Sequence, residues 1–358
     1  MAQPSRLSRT SERRIPRSRT PFSFVAALAA AAAATTLILI AFAHPAVHQS
    51  PRDLPLAVAG PPPVAAQVAA RLEQLADSSF ELLTVSDRDG AERLILDRKA
   101  YGALVVGPEG PAEVLTAAAA SPAVAQLLAG VAETLGESTM PNAGVTVTDL
   151  APTPADDPRG AGLAAGSLPL TIGGILTGTL MALLVRGARR QLLGVVTAAL
   201  LGGLAVVTVL HGWLGALSGN VWAEGGAIAA GVAAIAVVLV GTHALFGRPG
   251  LVVVDLALVL LGNPLSGATS APELLPTGWS TIGHWMPLGA TVDLLRGISG
   301  FDGRGTLTPA LALAGWATFG AVLLGAAALR RRYIRTSENE RPELVTENHQ
   351  PTTAQLAS

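Results

Sequence analysis

Ionisable side chains inside long apolar segments have the clearest potential for chemistry in this chain. His243 and Asp255 lie about one helical turn on either side of the short segment 247–250, and His211 and Glu224 flank an earlier short loop. Because such residues are costly in hydrocarbon, each pair is a hypothesis for a proton relay or a substrate contact. The alternative is that each side chain reaches a nearby interface and pairs locally.

Other reaction chemistries lack their residues. The sequence has no cysteine and its only lysine is Lys99, which excludes thiolate catalysis, disulfides and the Gly-Lys-Ser/Thr end of a P-loop. Neither a Gly-x-Ser-x-Gly elbow nor a His-Glu-x-x-His zinc motif occurs. We therefore expect no enzyme activity, no catalytic residue, no cofactor and no metal site. The net charge of -1 gives no indication of nucleic-acid binding.

Long apolar blocks dominate the sequence, in which 50% of the residues are hydrophobic and 14% are charged. A helix needs about 20 mainly apolar residues to cross the hydrocarbon core of a bilayer. Six segments approach that length: 24–43, 168–185, 192–213, 222–246, one that starts at 251, and 307–329. The fifth is the weakest, because Asn263-Pro264 interrupts it after about 12 residues.

The arginines that flank these segments fall before the first, between the second and third, between the fourth and fifth, and after the sixth, so that six spans place them all on one side, and none lies in the loop 214–221. They are Arg6, Arg9, Arg13, Arg14, Arg17, Arg19, Arg186, Arg189, Arg190, Arg248, Arg330, Arg331, Arg332 and Arg335. The positive-inside rule then places both termini in the cytoplasm and residues 44–165 outside. The preference for arginine over lysine, with abundant alanine, glycine and proline, is typical of GC-rich bacteria, which indicates the inner or plasma membrane.

The first apolar segment has a second interpretation. Ala41-Phe42-Ala43 resembles the small-x-small site at which signal peptides are cleaved. The apolar stretch of about 20 residues is longer than the usual apolar core of about 7–15 residues in a signal peptide. This length favours an uncleaved membrane anchor.

Residues 44–165 have the pattern of a small α/β domain. The sequence predicts strands at 54–59, 80–85, 102–106 and 145–148, and helices at 64–75, 89–99 and 122–135. Strands that alternate with helices indicate a mixed or parallel sheet covered by helices. The predicted fold class is thus an α-helical multi-pass membrane protein with six spans and an inserted extracytoplasmic α/β domain.

The segment 263–306 is rich in proline and glycine, and it contains two predicted short helices at 279–285 and 290–298. Non-helical backbone at membrane depth is tolerated where it is buried in protein or lines a wet cavity. One interpretation is an outer gate or re-entrant lid over a transport path. The other is an outer cap, anchored at the headgroups by Trp279 and Trp285.

Several short segments, taken in order, resemble the YhgE/Pip-like membrane proteins, which are relatives of type-2 ABC transporter permeases. The segment 101–108 is similar to a strand and turn of their outer domain. Segments similar to the region between their last two spans follow at 262–267, 272–276, 285–290, 295–296 and 301–303. The order of one span, a large outer domain and five further spans is also shared.

The resemblance implies a permease-like subunit that pairs as a homodimer and works with a separate ATPase subunit. The loop 186–191 is shorter than the ATPase-docking helices of such permeases. Few polar side chains occur in the spans, which favours an exporter of lipid-like or hydrophobic compounds with the lipid bilayer as its surroundings. The alternative function is a non-transporting cell-envelope receptor or scaffold that acts through its extracytoplasmic domain.

The predicted organisation follows from these observations. It comprises a cytoplasmic basic tail at 1–23, a first transmembrane helix at 24–43, an extracytoplasmic α/β domain and linker at 44–165, a five-span permease-like transmembrane domain at 166–330 with an outer re-entrant region at 263–306, and a cytoplasmic disordered tail at 331–358.

Overall fold

A computed structural model describes residues 21–75, 79–107, 110–139, 145–276 and 279–339. It shows a bundle of long apolar helices joined to a small five-stranded sheet. The helices are α1 Pro21–Val47, α2 Pro62–Leu75, α3 Arg88–Leu96, α4 Pro122–Thr139, α5 Ala161–Leu184, α6 Ala188–Val207, α7 Val221–Ala257, α8 Asn263–Leu265, α9 Trp279–Trp285, α10 Pro287–Gly300 and α11 Leu307–Asn339. The strands are β1 Leu54–Ala59, β2 Phe80–Val85, β3 Gly102–Gly107, β4 Gly110–Thr116 and β5 Thr146–Asp149.

The sheet is mixed, with strand order β2-β1-β3-β4-β5. Strand β1 pairs in parallel with both β2 and β3, whereas β4 runs antiparallel to β3. Side chains alternate between the two faces, as the period of a strand requires. Leu54 and Leu56 of β1 pack on the α4 side with Leu128, while Ala57 of the same strand packs on the α3 side with Ile95.

The strands and helices predicted for 44–165 are present, but the sequence did not predict β4. This strand carries Pro111 and Glu113 next to alanine and leucine, so it lacks a clear alternation of polar and apolar residues. The β3–β4 register shifts between Val105 and Val106, next to the place where Pro111 is paired. Proline cannot donate to the ladder and is accommodated at such irregularities.

Within the described ranges, five helices are long and apolar enough to cross a membrane, judged by length and composition. They are Phe24–His44, Ala161–Leu184, Ala188–Trp213, Val221–Leu265 and Leu307–Ile334. Large apolar side chains on their surfaces, including Leu176, Leu193 and Phe319, are exposed. Because a water-soluble surface rarely presents so much apolar area, these helices mark the chain as a membrane protein.

The sequence predicted six spans, and the fourth helical segment of the structure contains both the predicted fourth and fifth. This segment, Val221–Leu265, has 45 residues, about twice the number that one crossing needs. Its helical geometry breaks at Gly247, where φ is 71° and ψ is −157°. The positive φ is favourable only for glycine. A methyl group on Gly250 would lie 3.0 Å from Thr242 Cγ2. Residues this far apart along a straight helix do not come so close, so the chain bends sharply between them.

The first arm of α7, before Gly247, is the centre of the bundle. In the most apolar stretch of 18 residues within Val221–Leu265, 72% of the residues are buried, compared with 0% in the corresponding stretch of Phe24–His44. Helices α5, α6, α10 and α11 all pack against α7. Where α7 crosses α11, Gly241 faces the carbonyl oxygen of Gly320, so the two backbones touch directly. Small residues permit this close approach between helices.

The bundle has two chemically different ends. We call the end of the bundle that meets the sheet the sheet end, and both α5 and α11 begin there. At this end, Ser218 N, which precedes α7, donates to Ser299 Oγ of α10 at 2.7 Å. The opposite end carries Arg186, Arg248 and Arg331 and is the arginine end. The segment 266–306 joins the sheet to the bundle at the sheet end, since Leu274 and Phe301 enter the two hydrophobic cores of the sheet.

We predict that Gly320→Ala lowers the thermal stability of the detergent-solubilised protein. The added methyl group would lie 2.5 Å from Val238 N and 2.6 Å from Val237 C, and overpacking of this kind costs about 1–3 kcal/mol. The matched control is Gly325→Ala on the same helix, where no heavy atom lies within 4 Å of the new methyl group. Equal unfolding temperatures for the two variants would contradict the close α7–α11 contact.

Candidate functional site

A cleft of about 450 Å³ lies at the sheet end, where the sheet meets the segment 266–306. Most of its lining comes from the turn between α3 and β3, the segment 266–306 and the first turn of α11, and Pro55 and Ala120 complete it. The ionisable side chains that line it are Asp97, Arg98, Lys99, Tyr101, Glu273, His284 and Asp293. This cleft therefore groups charged side chains of both signs around one cavity.

Asp293 on α10 is the centre of this cluster and is only 8% exposed. Its Oδ2 accepts a hydrogen bond from His284 Nδ1 at 2.7 Å, and its Oδ1 lies 3.6 Å from Arg98 Nη2. Burial opposes ionisation of this carboxylate, but the hydrogen bond from His284 and the charge of Arg296 outweigh it and hold the pKa of Asp293 below its ordinary value. The same hydrogen bond raises the pKa of His284.

Arg296 lies one turn along α10 and is 5% exposed. Its Nη2 donates to three carbonyl oxygens, those of Gly267, Ala268 and Ser270, at 3.0, 3.2 and 3.2 Å. Burial lowers the pKa of Arg296, which the charge of Asp293 partly restores. A buried guanidinium must satisfy its donors, so Arg296 fixes the path of the loop that follows α8.

Tyr101 connects the sheet to the segment 266–306. It directly precedes β3, and its hydroxyl donates to Glu273 Oε2 at 2.8 Å. Burial, together with the negative charge of Glu273, raises the pKa of Tyr101 well above its usual value. The phenol therefore stays protonated and remains a hydrogen-bond donor to the carboxylate.

Arg98 connects the same two units from the other side of the cleft. It follows α3 and has a left-handed φ of 59°. This backbone conformation is uncommon for residues other than glycine and indicates a constrained turn. Its Nη1 donates to the carbonyl oxygen of Asp293 at 2.9 Å, and its guanidinium lies 5.6 Å from the centre of the Phe301 ring. The guanidinium thus combines an ion pair, a hydrogen bond and a cation–π contact.

An apolar groove of about 300 Å³ adjoins the cleft along α11. The two cavities share Trp285, and α11 lines the cleft with Thr308 and Pro309 and then lines the groove with its next turns. The groove residues are Trp285, Leu311, Ala312, Gly315, Trp316 and Phe319. The indole of Trp316 donates to the carbonyl oxygen of Trp285, which fixes the wall between the two cavities.

Together, the cleft and the groove have the chemical pattern of an amphiphile site. His284 and Lys99 offer positive charge to a phosphate or carboxylate, and Glu273 offers negative charge to an ammonium group. The groove offers aromatic and aliphatic surface to a hydrocarbon chain. Among the described residues, no three histidine, aspartate or glutamate side chains converge to hold a metal ion.

The structure brings His211 and Glu224 together at the sheet end. Glu224 is 0% exposed, and its Oε2 lies 2.7 Å from His211 Nδ1. Its Oε1 accepts from Gly219 N at 2.8 Å. Both carboxylate oxygens are therefore satisfied by groups that close the turn between α6 and α7, which is the local pairing that the sequence offered as an alternative to a proton relay.

The structure does not bring His243 and Asp255 together. No hydrogen bond or ion pair between them occurs in the described part of the chain. His243 instead lines a cavity at the arginine end with Arg331. Asp255 Oδ1 and Thr179 Oγ1 are buried without a hydrogen-bond partner. The helical geometry breaks at Gly247, between the two residues, and their similar distances from the segment 247–250 along the chain do not bring them together.

Sequence reasoning did not single out Arg98, Asp293 or Arg296 as site residues. One signal was present, because Asp293 and Arg296 are spaced i,i+3 in an otherwise apolar stretch, which places both charges on one helix face. Asp293 contacts Arg98, and α10 packs against α7, and both of these partners are distant in sequence.

No protein-family model, curated protein or solved structure matches this chain. The resemblance to YhgE/Pip-like proteins therefore remains a prediction.

We predict that Asp293→Asn destabilises the protein by about 3 kcal/mol, because it leaves the buried Arg296 without its counter-charge. The measurement is thermal unfolding in detergent at pH 7. The matched control is Asp302→Asn, which removes the same charge from an exposed turn of the same segment. Similar losses in both variants would show that the Asp293 cluster does not hold the junction.

We also predict that the stability contributed by His284 depends on pH. Its folded pKa is raised above the unfolded value of about 6.5, so the contribution is complete below that value and is lost as the pH rises through the folded pKa. The difference in unfolding temperature between the wild type and His284→Gln should be largest near pH 6 and smallest near pH 9. His48→Gln is the control, and a pH-independent difference for His284→Gln would contradict the ion pair.

Proposed function

We propose that the chain is a permease-like subunit that exports a lipid-like, amphiphilic compound across the cell membrane. The observation that carries this proposal is the junction of a charged cleft with an apolar groove along one helix. An amphiphile would place its polar head near Lys99 and His284 and its hydrocarbon chain along Gly315 and Phe319. A water-soluble substrate would make no use of the groove.

The distribution of polar groups supports a substrate that moves along the bundle surface. The buried polar side chains of the described spans are few and scattered. Ser167 and Thr171 donate to carbonyl oxygens of their own helix, α5, and Glu224 is held at the α6–α7 turn. Such groups form no continuous polar path. The groove on α11, by contrast, opens beside exposed apolar residues such as Leu311, which is 60% exposed.

The proposal also includes six membrane crossings, as the arginine pattern predicts. Ser167 Oγ, near the beginning of α5, lies 3.4 Å from Asn263 Oδ1, near the end of the segment Val221–Leu265. Since Val221 also lies at the sheet end, a chain that leaves and returns to that end supports two crossings in this segment. The positive-inside rule then puts the arginine end in the cytoplasm and the cleft outside.

The proposal includes the homodimer and the separate ATPase that the resemblance implies. The apolar surface of α1 supports a second copy as a neighbour, because 0% of the residues in the most apolar stretch of this helix are buried. Its contacts within the chain include α8, the helical turn before α8, and Trp279, which stacks on His44. The remaining surface is free for lipid or for a partner helix.

The experiment measures the accumulation of a fluorescent lipid analogue in the native organism after deletion of the gene. Complementation with the wild type should lower accumulation. Complementation with Gly315→Trp should not, because an indole would fill the groove. The matched control is Gly325→Trp, on the same helix at a position with open space and outside the groove, which should act as the wild type does.

Two results would contradict this function. Equal accumulation in the deleted and complemented strains would favour the non-transporting receptor or scaffold. Equal activity of the wild type and Gly315→Trp would leave transport but remove the groove from the path.

A further inference from the structure

A second large cavity, of about 610 Å³, lies at the arginine end, remote from the cleft. It is bordered by the turn between α5 and α6, by the end of the first arm of α7, and by α11. Its walls include Leu183, Leu324 and Ala327, and its rim carries Arg186 and Arg331. The proposed transport path uses none of these residues.

The charge of this cavity has one sign. Among the described residues that line it, the ionisable side chains are arginines and His243, and none is acidic. Arg186 and Arg331 are both exposed at the rim. A cavity with apolar walls and a cationic rim is complementary to an anion that carries hydrocarbon.

The backbone adds to this positive field. Helix α6 begins at Ala188, beside the cavity, and its N-cap Gly187 provides no side-chain hydrogen bond. The first N–H groups of a helix attract anions. The opposing negative end of α5 is covered, because Gln191 Nε2 donates to the carbonyl oxygens of Met181 and Val185 at 3.3 and 2.9 Å.

The position of the cavity selects among anions. The apolar helices that form its walls are those that cross the membrane, so the rim lies at the level of lipid head groups. A soluble anion would satisfy the arginines but would leave the walls at Leu183 and Leu324 without contact. A metal cation would be repelled by the rim. A phospholipid satisfies both the rim and the walls.

We propose that this cavity binds an anionic membrane phospholipid, whose phosphate contacts Arg186, Arg331 and the N-terminus of α6. The first part of its acyl chain lies against Leu183 and Leu324. The lipid bridges the α5–α6 turn to α11. This site is independent of the proposed export function, because it lies at the opposite end of the bundle.

The experiment uses the full-length protein, stripped of lipid in detergent, and measures the shift of its unfolding temperature with dioleoyl phosphatidylglycerol. The lipid should raise the unfolding temperature of the wild type in a saturable manner. The double variant Arg186→Gln/Arg331→Gln should bind the lipid at least about tenfold more weakly, as expected for the loss of two charges near a phosphate. The matched control is Arg189→Gln/Arg330→Gln, which changes the net charge equally at arginines outside the cavity.

A second pair of variants tests the chain-binding part of the cavity. Ala328→Trp fills the cavity and should also weaken lipid binding, whereas Leu329→Trp, one residue further and outside it, should not. Both variants retain Arg186 and Arg331. They therefore test lipid binding even if the arginine double variant does not fold.

Three results would overturn the proposal. The first is an equal loss of binding in the two arginine double variants, which would indicate a diffuse charge effect. The second is an equal temperature shift with inorganic phosphate, which would indicate a site for a soluble anion. The third is an unchanged affinity in Ala328→Trp.

Discussion

The buried charges of α10 are the constraint on which the architecture at the sheet end depends. Inside protein, a charge without partners is strongly destabilising, so Asp293 and Arg296 require the groups that surround them. Arg296 requires three carbonyl oxygens of one loop, and Asp293 requires His284 and Arg98. The first set fixes the segment after α8, and the second fixes the sheet to the bundle. The cleft exists because these contacts hold its walls apart at a defined spacing.

Much of the local structure follows from the sequence, since it depends on short-range patterns. The parallel strands β1 and β3, the helices around them and the short helices α9 and α10 all coincide with predicted segments. Strand β4 was missed because Pro111 and Glu113 disturb its pattern, and pairing with β3 supplies what the pattern lacks. The sequence predicts six spans, whereas the structure joins the fourth and fifth in one helical segment, because the form of the bend at Gly247 depends on how the two arms pack.

The candidate site shows the same division between local and long-range information. His211 and Glu224 meet because they lie across a short turn, so sequence distance was a good guide. His243 and Asp255 have a similar spacing but do not meet, since the bend at Gly247 sets their directions. Arg98 and Asp293 are 195 residues apart, and only the tertiary fold makes them neighbours. A charge in an apolar stretch signals that a partner exists but does not identify it.

The place of the single lysine has a practical consequence. Lys99 is exposed, lies on the cleft, and directly follows Arg98. An amine-reactive dye would therefore attach to one side chain in the whole protein, apart from the amino terminus. Since no cysteine is present, an engineered cysteine elsewhere would accept a second dye without interference. The natural chain is thus already suited to two-colour distance measurements between the cleft and any chosen point of the bundle.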